Sequence, residues 1–476
     1  MKTILTLLSL LIAACPAISA AADPKPNIVI IFIDDMGYAD IGAFGATKQK
    51  TPNLDKMAKE GMKLTSFYAA PVCSVSRAQL LTGCYGPRID VPSVYFPGSP
   101  DGLNPNEITI AERLKDLGYA TACIGKWHVG DQPEFLPTNQ GFDHYFGIPY
   151  SNDMQKVSAE TGKRVTPLLR DDKVAELLTD EQQSRIVEQY TDEAVRFITE
   201  NKDKPFFLYL PHTAIHTPIV PGEAFRGKSD NGQVGDWIEE LDWSTGRILD
   251  TLKELNLDSN TLVIFTSDNG PWLIKEEDSG SALPLRGGKG STWEGGVRVP
   301  TIARWPGKIE PDTTVDTVTA TIDLLPTAVA LAGGSIPEQP IIDGRDISPI
   351  LLGETTEAPR EAQYYFLRFE LKAVRQGPWK LALSPQKETM GRGIKPDAQT
   401  KEPRLYNLDE EIGEKTNVAK QHPEIVAKLT ALAEKMNAEI GGKTPAVRRP
   451  AGKVNNPSIL YSVKSQNSKK KKGKEK

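Results

Sequence analysis

The chain has 476 residues, 39% hydrophobic and 25% charged, an ordinary globular composition with length for about two to four domains of roughly 150 residues. The formal net charge of −5 hides an asymmetry: Lys443–Lys476 carries 11 Lys and Arg against the single Glu475, a net of +10, which leaves the rest near −15. An acidic body argues against nucleic acid as the main partner, and beyond the N-terminus no apolar run approaches the roughly 20 residues that span a bilayer.

The N-terminus reads as a secretory signal over residues 1–22. Lys2 is the charged region, Ile4–Ala14 the apolar one, and Ile18-Ser19-Ala20 or Ala20-Ala21-Ala22 the cleavage site, so an exported, periplasmic or secreted protein is expected. A second reading takes Ile12-Ala13-Ala14-Cys15 as a lipobox, and a membrane partner follows only if Cys15 is lipidated. With Cys15 removed, Cys73, Cys84 and Cys123 remain, and an odd count points to one thiol with a separate fate. If that thiol is Cys73, Cys84 and Cys123 are either a disulfide pair or two buried small hydrophobes, the latter being the default.

Asn27–Ile33 is a continuous β-branched run of the kind buried on both faces in a parallel sheet. Similar runs recur at Ala120–Ile124, Phe206–Leu210, Leu262–Phe265 and Thr301–Ala303. Helical patterns lie between them: a start at Thr51-Pro52, the spacing of Ile110, Leu114 and Leu117 with Gly118 as a stop, and periodic stretches over Asp180–Thr199 and Asp236–Leu255. Alternating strands and helices predict an α/β fold, a large mostly parallel sheet sandwiched by helices, over residues 23–355. From 356 to 442 the texture changes. Gln363–Phe369, Lys372–Arg375, Trp379–Leu383 and Leu405–Leu408 are closely spaced strands, and Pro423–Ile440 is a helix, which predicts a smaller α+β domain with an antiparallel sheet. Residues 443–476, with the run Lys469–Lys472, are expected to be a disordered basic tail, by default solubilising and otherwise drawn to anionic polysaccharide or the cell envelope.

Ligands of parallel sheets bind beyond the carboxyl ends of the strands. Asp34-Asp35 and Asp268-Asn269 both follow strands. Three carboxylates and an amide converging on one spot require a hard cation such as Ca²⁺ or Mg²⁺, although either pair alone reads as a turn or helix cap. Cys73 stands four residues before Arg77 at a predicted helix start, where free N–H groups favour an anion. Lys126 and His128 follow another strand two residues apart, so both can face one pocket. His212 and His216 follow the strand Phe206–Leu210, and the glycine-dense segment Gly287–Pro300 presents Lys289 without matching a P-loop.

The run Cys73-Ser74-Val75-Ser76-Arg77 with Thr82-Gly83, together with Gly125–Gly130 and Gly287–Pro300, resembles the type I, formylglycine-dependent sulfatases of the alkaline-phosphatase-like superfamily, with Val75 where that family has proline. The segments Thr138–Asp143 and Gly147–Asp153 are similar to the arylsulfatase A and N-acetylgalactosamine-6-sulfatase branch. The resemblance implies that Cys73 is oxidised to formylglycine by a formylglycine-generating or anaerobic sulfatase-maturating enzyme. Its hydrate would attack sulfur and form a covalent sulfo-enzyme. Calcium, or less readily magnesium, would be held by Asp34, Asp35, Asp268, Asn269 and the modified Cys73. Arg77 would stabilise the hydrate, Lys126 and Lys289 would bind sulfate oxygens, His128 would assist sulfate release and His216 would protonate the leaving alcohol, with His212 further out. The implied substrate is a sulfated sugar. Alternatives at this stage are a phosphonate or phosphodiester hydrolase using the same modified cysteine, or a sulfoglycan-binding protein if Cys73 stays a thiol. The loops at 85–106 and 151–185 are expected to shape the pocket.

Overall fold

The computed structural model of the chain describes residues 24–397 and 402–464. The signal segment 1–22, Cys15 and the run Lys469–Lys472 lie outside the described residues.

The centre is an 11-stranded sheet in which Thr261–Ser267, Asn27–Ile33, Phe206–Pro211, Ala120–Ile124 and His144–Gly147 run parallel in that spatial order. This is the expected parallel α/β core, and antiparallel strands are added on both flanks: Ile302–Arg304 pairs Thr261–Ser267 on one side, and Arg164–Arg170 pairs His144–Gly147 on the other. Period-two alternation divides the central strand between two cores. Ile28, Ile30 and Phe32 pack with Leu80, Leu114 and Leu325 from the helices Cys73–Thr82, Ile110–Asp116 and Leu324–Leu331 on one face. Val29, Ile31 and Ile33 pack with Met57, Tyr190 and Trp237 from Pro52–Lys59, Ile186–Glu200 and Gly232–Glu254 on the other. Among the described residues no helix is long and apolar enough to cross a membrane.

The periodic stretch expected as one helix from Asp180 to Thr199 is two. Thr179 and Gln182 form a capping box on the turn Asp180–Gln183, and the main helix starts afresh at Ile186. A self-contained cap satisfies the first turn, so the chain can bend at Ser184–Arg185 without losing the pattern.

Gln363–Leu367, Glu370–Gln376, Trp379–Ala382 and Arg404–Asn407 form a four-stranded antiparallel sheet. The helix Pro423–Glu439 covers it through Leu429 and Ala433, against Leu371, Val374 and Leu381. Arg88, 1% exposed, joins the two parts of the chain: it pairs with Asp343 through two nitrogens at 2.6 and 2.8 Å and with Glu439 at 2.6 Å.

The default reading of two cysteines holds and one expectation is corrected. Cys84 and Cys123 form no disulfide; Cys73, Cys84 and Cys123 are all free and buried. And the segment expected to be disordered from Lys443 onward is ordered through Lys464. Gly452–Lys453 pairs antiparallel with Asp101–Gly102, Arg449 binds Glu107 through two nitrogens at 2.7 and 2.8 Å, and Arg448 lies 4.0 Å over the Phe369 ring. Composition misled here because the partners that order this segment, Glu107, Asp101–Gly102 and Phe369 among them, lie far back in the chain, where no local pattern can register them.

Asp343 accepts from the Tyr85 N–H at 2.8 Å as well as from Arg88. Asp343→Ala is expected to lower stability by about 3 kcal/mol, the cost of leaving a buried guanidinium with only Glu439 as its partner. Denaturant unfolding followed by tryptophan fluorescence measures it, and a change within 0.5 kcal/mol would refute that role.

Candidate active site

Parallel register builds the site. Ile33 lies opposite Ser267, so the residues that follow, Asp34-Asp35 and Asp268-Asn269, emerge side by side at the carboxyl ends of adjacent strands. The Asp35 N–H donates to Asp268 Oδ1 at 3.2 Å and Asn269 Nδ2 donates to Asp35 Oδ1 at 2.7 Å. Asp35 and His128 both hold a left-handed backbone, φ 61° and 62°, a conformation that costs a non-glycine residue on the order of 1 kcal/mol or more and concentrates at functional sites.

The helix Cys73–Thr82 aims its N-terminus at this cluster. Ser76 Oγ accepts from the Ala70 N–H at 2.7 Å and donates to the Asp268 carbonyl, tying the helix start to the strand end. One turn on from Cys73, Arg77 threads between two carboxylates, with Nη2 2.8 Å from Asp268 Oδ2 and 3.6 Å from Asp34 Oδ2, while Nη1 donates to the Lys126 carbonyl at 2.6 Å. Val75 is buried in the apolar core, and a Cβ on Gly86 would fall 2.6 Å from its Cγ1, so Gly86 makes the room that valine occupies.

Lys126 Nζ pairs with Asp34 and lies 3.2 Å from Ser151 Oγ. Its backbone is fixed by donation to the Pro211 carbonyl at 2.7 Å, an approach that Gly125 permits because a Cβ there would meet the same oxygen at 1.9 Å. His128 Nδ1 is 3.2 Å from Cys73 Sγ, and its Nε2 is 3.1 Å from the Tyr95 carbonyl. A carbonyl only accepts, so Nε2 carries the hydrogen and Nδ1 presents a lone pair to residue 73. His216 has the opposite arrangement: Nδ1 donates to the Thr217 carbonyl at 2.7 Å, and Nε2 lies 3.7 Å from Asp35 Oδ2. Lys289 Nζ is 2.6 Å from Asp35 Oδ1.

The structure thus brings together Asp34, Asp35, Cys73, Arg77, Lys126, His128, His216, Asp268, Asn269 and Lys289, none more than 4% exposed. His212 stays outside: its Nε2 meets Ser244 Oγ at 3.2 Å beneath Tyr190. Three stretches of the chain that contribute escaped the sequence reading. Ser151 bridges Lys126 and His216, lying 3.3 Å from His216 Nδ1. Trp272 places its ring 5.8 Å from that of His216 and 5.3 Å from Lys289 Nζ. Thr389 and Met390 hold the Lys289 carbonyl at 3.0 and 2.7 Å. Ser151-Asn152 was findable as a third polar pair beyond a parallel strand; the other two carry no local signal.

Burial would raise the Asp34 pKa, but the charges of Lys126, Arg77 and Lys289 outweigh it and hold the carboxylate ionised. Burial and the neighbouring Asp34 push Asp268 up to about 7. Burial also pushes the Cys73 thiol up to about 11, against the pull of Lys126 and Lys289. His128 is lowered by burial, Lys126 and Arg77, and His216 by burial and Lys289, so both rest as neutral imidazoles. Two buried oxygens, Asp34 Oδ1 and Asn269 Oδ1, have no hydrogen-bond partner. Asp34, Cys73 and Asp268 offer ligand atoms within 4.8 Å of one another, as do Asp34, Asp35 and His216. Orphaned oxygens beside crowded carboxylates fit a hard divalent cation.

Such a place, with a residue at a helix start facing lysines, arginine and two imidazoles over carboxylates, is suited to cleaving an anionic ester. The sulfatase family model matches residues 26–335, and the model of the N-sulphoglucosamine sulphohydrolase C-terminal region matches residues 288–439. The chain belongs to the sulfatase family, and it is a sulfuric ester hydrolase. It is similar to arylsulfatase A of Homo sapiens, 37% identical over 465 residues, which covers 89% of this chain and 90% of that protein. It is also similar to N-acetylgalactosamine-6-sulfatase of Canis lupus familiaris, 36% identical over 398 residues, 78% of this chain and 74% of that protein. Among solved structures, the PsFucS1 sulfatase from Pseudoalteromonas sp. superposes with a TM-score of 0.81 at 31% identity, covering 87% of this chain and 90% of that one.

Adding Ca²⁺ to chelator-treated protein is expected to raise stability, by about 2.7 kcal/mol at a hundred times the dissociation constant. Thermal unfolding reads the shift. Asp34→Asn should lose most of it, and an equal shift in both proteins would place the cation elsewhere.

Proposed function

We propose that the chain removes sulfate from a carbohydrate, using Cys73 converted to formylglycine and a calcium ion held by Asp34, Asp35, Asp268, Asn269 and the modified Cys73. The observation that carries this reading is the placement of Cys73 Sγ 3.2 Å from the His128 Nδ1 lone pair, in a site whose Asp34 Oδ1 and Asn269 Oδ1 are left unpartnered. The high thiol pKa supports the conversion, because a protonated buried thiol is a weak nucleophile at neutral pH. When formed, the hydrated aldehyde supplies the hydroxyl that attacks sulfur, and the cation supplies charge neutralisation for an anionic ester.

The rest is done by the chain's own side chains. Lys126 and Lys289 receive the sulfate oxygens and offset their charge. Arg77 sits between Asp34 and Asp268 and keeps the two carboxylates apart. His128 takes a proton at Nδ1 from a hydroxyl at position 73, since Nε2–H is committed to Tyr95. His216 keeps Nε2 free. Burial first and Lys289 second lower its pKa, so it rests neutral; an anionic ester arriving beside Lys289 offsets that lysine's share and favours the imidazolium that protonates the leaving oxygen. The sugar assignment draws support from the similarity to an N-acetylgalactosamine-6-sulfatase. We further propose residues 23–355 as the catalytic domain and 356–442 as a C-terminal subdomain. Export through the N-terminal signal and a separate maturating enzyme complete the reading.

The test combines mass spectrometry of the Cys73 peptide from the native host with turnover of defined sulfated mono- and oligosaccharides. Cys73→Ala should abolish turnover. His216→Ala should cost about 10²–10⁴ on a sulfated sugar, whose alkoxide needs a proton, and far less on an aryl sulfate, whose phenolate does not. Equal losses on both would remove His216 from the acid role, and an unmodified thiol in active enzyme would remove formylglycine from the mechanism.

A further inference from the structure

The alcohol released from the ester departs beside His216. His216 Nδ1 is committed to the Thr217 carbonyl, so only Nε2 can meet the leaving oxygen, within about 3 Å in the reacting complex. The first carbon of that alcohol is one bond further out. Trp272 borders this path: its ring centre is 5.8 Å from that of His216, with 39° between the planes. Rings stack with centres roughly 4.5–7 Å apart, so a ring that carries the ester falls within reach of the indole.

The backbone of Lys289 fixes the indole in place. The Lys289 N–H donates to the Pro271 carbonyl at 2.9 Å, the Met390 N–H donates to the Lys289 carbonyl at 2.7 Å, and Trp272 Nε1 donates to the Met390 carbonyl at 3.0 Å. With its one polar group satisfied, the ring offers only π surface and C–H edges. Two ammonium groups stand over it, Lys275 Nζ at 4.7 Å and Lys289 Nζ at 5.3 Å. Lys289 is tied to Asp35 at 2.6 Å. Lys275 is partly exposed and forms no ion pair among the described residues, so its contact with the indole is a weak one that a ring can replace. A tryptophan that served only to steady Lys289 would gain by full burial. Trp272 instead stays partly exposed, and the next two side chains, Leu273 and Ile274, are 36% and 40% exposed. Contiguous exposed apolar surface at the rim of a charged site marks a place that receives a ligand.

We propose that Trp272 is a stacking platform for the ring that bears the sulfate ester, and that it makes the enzyme prefer esters of cyclic alcohols to esters of acyclic ones. Trp272 is then a specificity-determining residue, separate from the groups that bind sulfate or move protons. The inference rests on the proposed site, with His216 at the leaving oxygen, and does not require the leaving group to be a sugar. Stacking forms on binding and persists through the reaction, so it acts on KM rather than on kcat.

The experiment compares the mature protein with Trp272→Leu and Trp272→Phe. The substrates are cyclohexyl sulfate and hexan-3-yl sulfate, whose leaving alcohols are alike in acidity and make equal demands on His216. The native protein should favour the cyclic ester about tenfold in kcat/KM. Trp272→Leu should lose that preference through a higher KM for the cyclic ester alone, and Trp272→Phe should keep most of it. Inhibition by inorganic sulfate, which engages Lys126 and Lys289 but no ring, should be the same in all three proteins. A cyclic preference that survives in Trp272→Leu overturns the proposal. So does an equal loss on both esters with weaker sulfate inhibition, which would reduce Trp272 to a prop for Lys289. Loss of the preference in Trp272→Leu, in an enzyme that turns over no sulfated sugar, would keep the platform and refute the carbohydrate reading.

Discussion

Everything at the site hangs on alternation of charge in a place that water barely reaches. Asp34, Asp35 and Asp268 alternate with Arg77, Lys126 and Lys289 at contact distance, and Arg77 and Asp268 each show no exposed side-chain surface. An isolated buried charge is prohibitively costly, so none of these six can be removed without stranding a partner. The same constraint fixes the fold locally. Arg77 reaches both carboxylates only because its helix begins at Cys73 and the two strands end in register, so the ion pairs and the position of residue 73 are one geometric fact.

The C-terminal part of the chain completes this arrangement. Lys289 sits on a loop that has little regular structure of its own, and it is held from outside. Its carbonyl is bound by Thr389 and Met390, and the Gly288 N–H donates to the Glu388 carbonyl at 2.8 Å. A few residues on, Glu294 is buried against Lys380 at 2.8 Å, which also pairs with Glu414 at 2.9 Å. Burial would raise the Glu294 pKa, but Lys380, Arg375 and Arg298 reverse that and keep it low. A second charge cluster thus anchors the loop that carries a residue of the first. The smaller sheet acts as a clamp on the site, which is why loop residues can hold a lysine within hydrogen-bond distance of Asp35.

The legible part of the sequence was the part written locally. Strand cores such as Asn27–Ile33 announce themselves by β-branched runs, and polar pairs directly beyond them, Asp34-Asp35 and Asp268-Asn269, could be placed at sheet ends before any coordinates. The Cys73-to-Arg77 spacing needed only helical geometry. What stayed hidden depends on distant contacts. Ser151 matters because Lys126 and His216 happen to flank it, Trp272 because His216 folds against it, and the segment 443–464 because residues near Asp101, Gln132 and Ser158 accept it. None of these alters a periodicity. The segment 443–464 also mimics disorder in composition, since its order comes from backbone pairing and a few side chains rather than from an apolar face.

Val75 brings the local and the distant together. In the folded chain it has no visible cost: its side chain fills space that Gly86 leaves open, and at the third position of the helix its N–H has no helical partner to lose. The helix start is set instead by Ser76, which bonds Ala70 and Asp268. Proline would restrict the backbone chiefly where that framework is absent, in the unfolded segment. Cys73 is only 2% exposed once folded, so an enzyme that oxidises it must meet the segment before the helix docks or after it opens. If Cys73 is oxidised as proposed, the exchange of proline for valine acts on the chain before this framework forms, and leaves the geometry of the finished site to Ser76, Arg77 and Gly86.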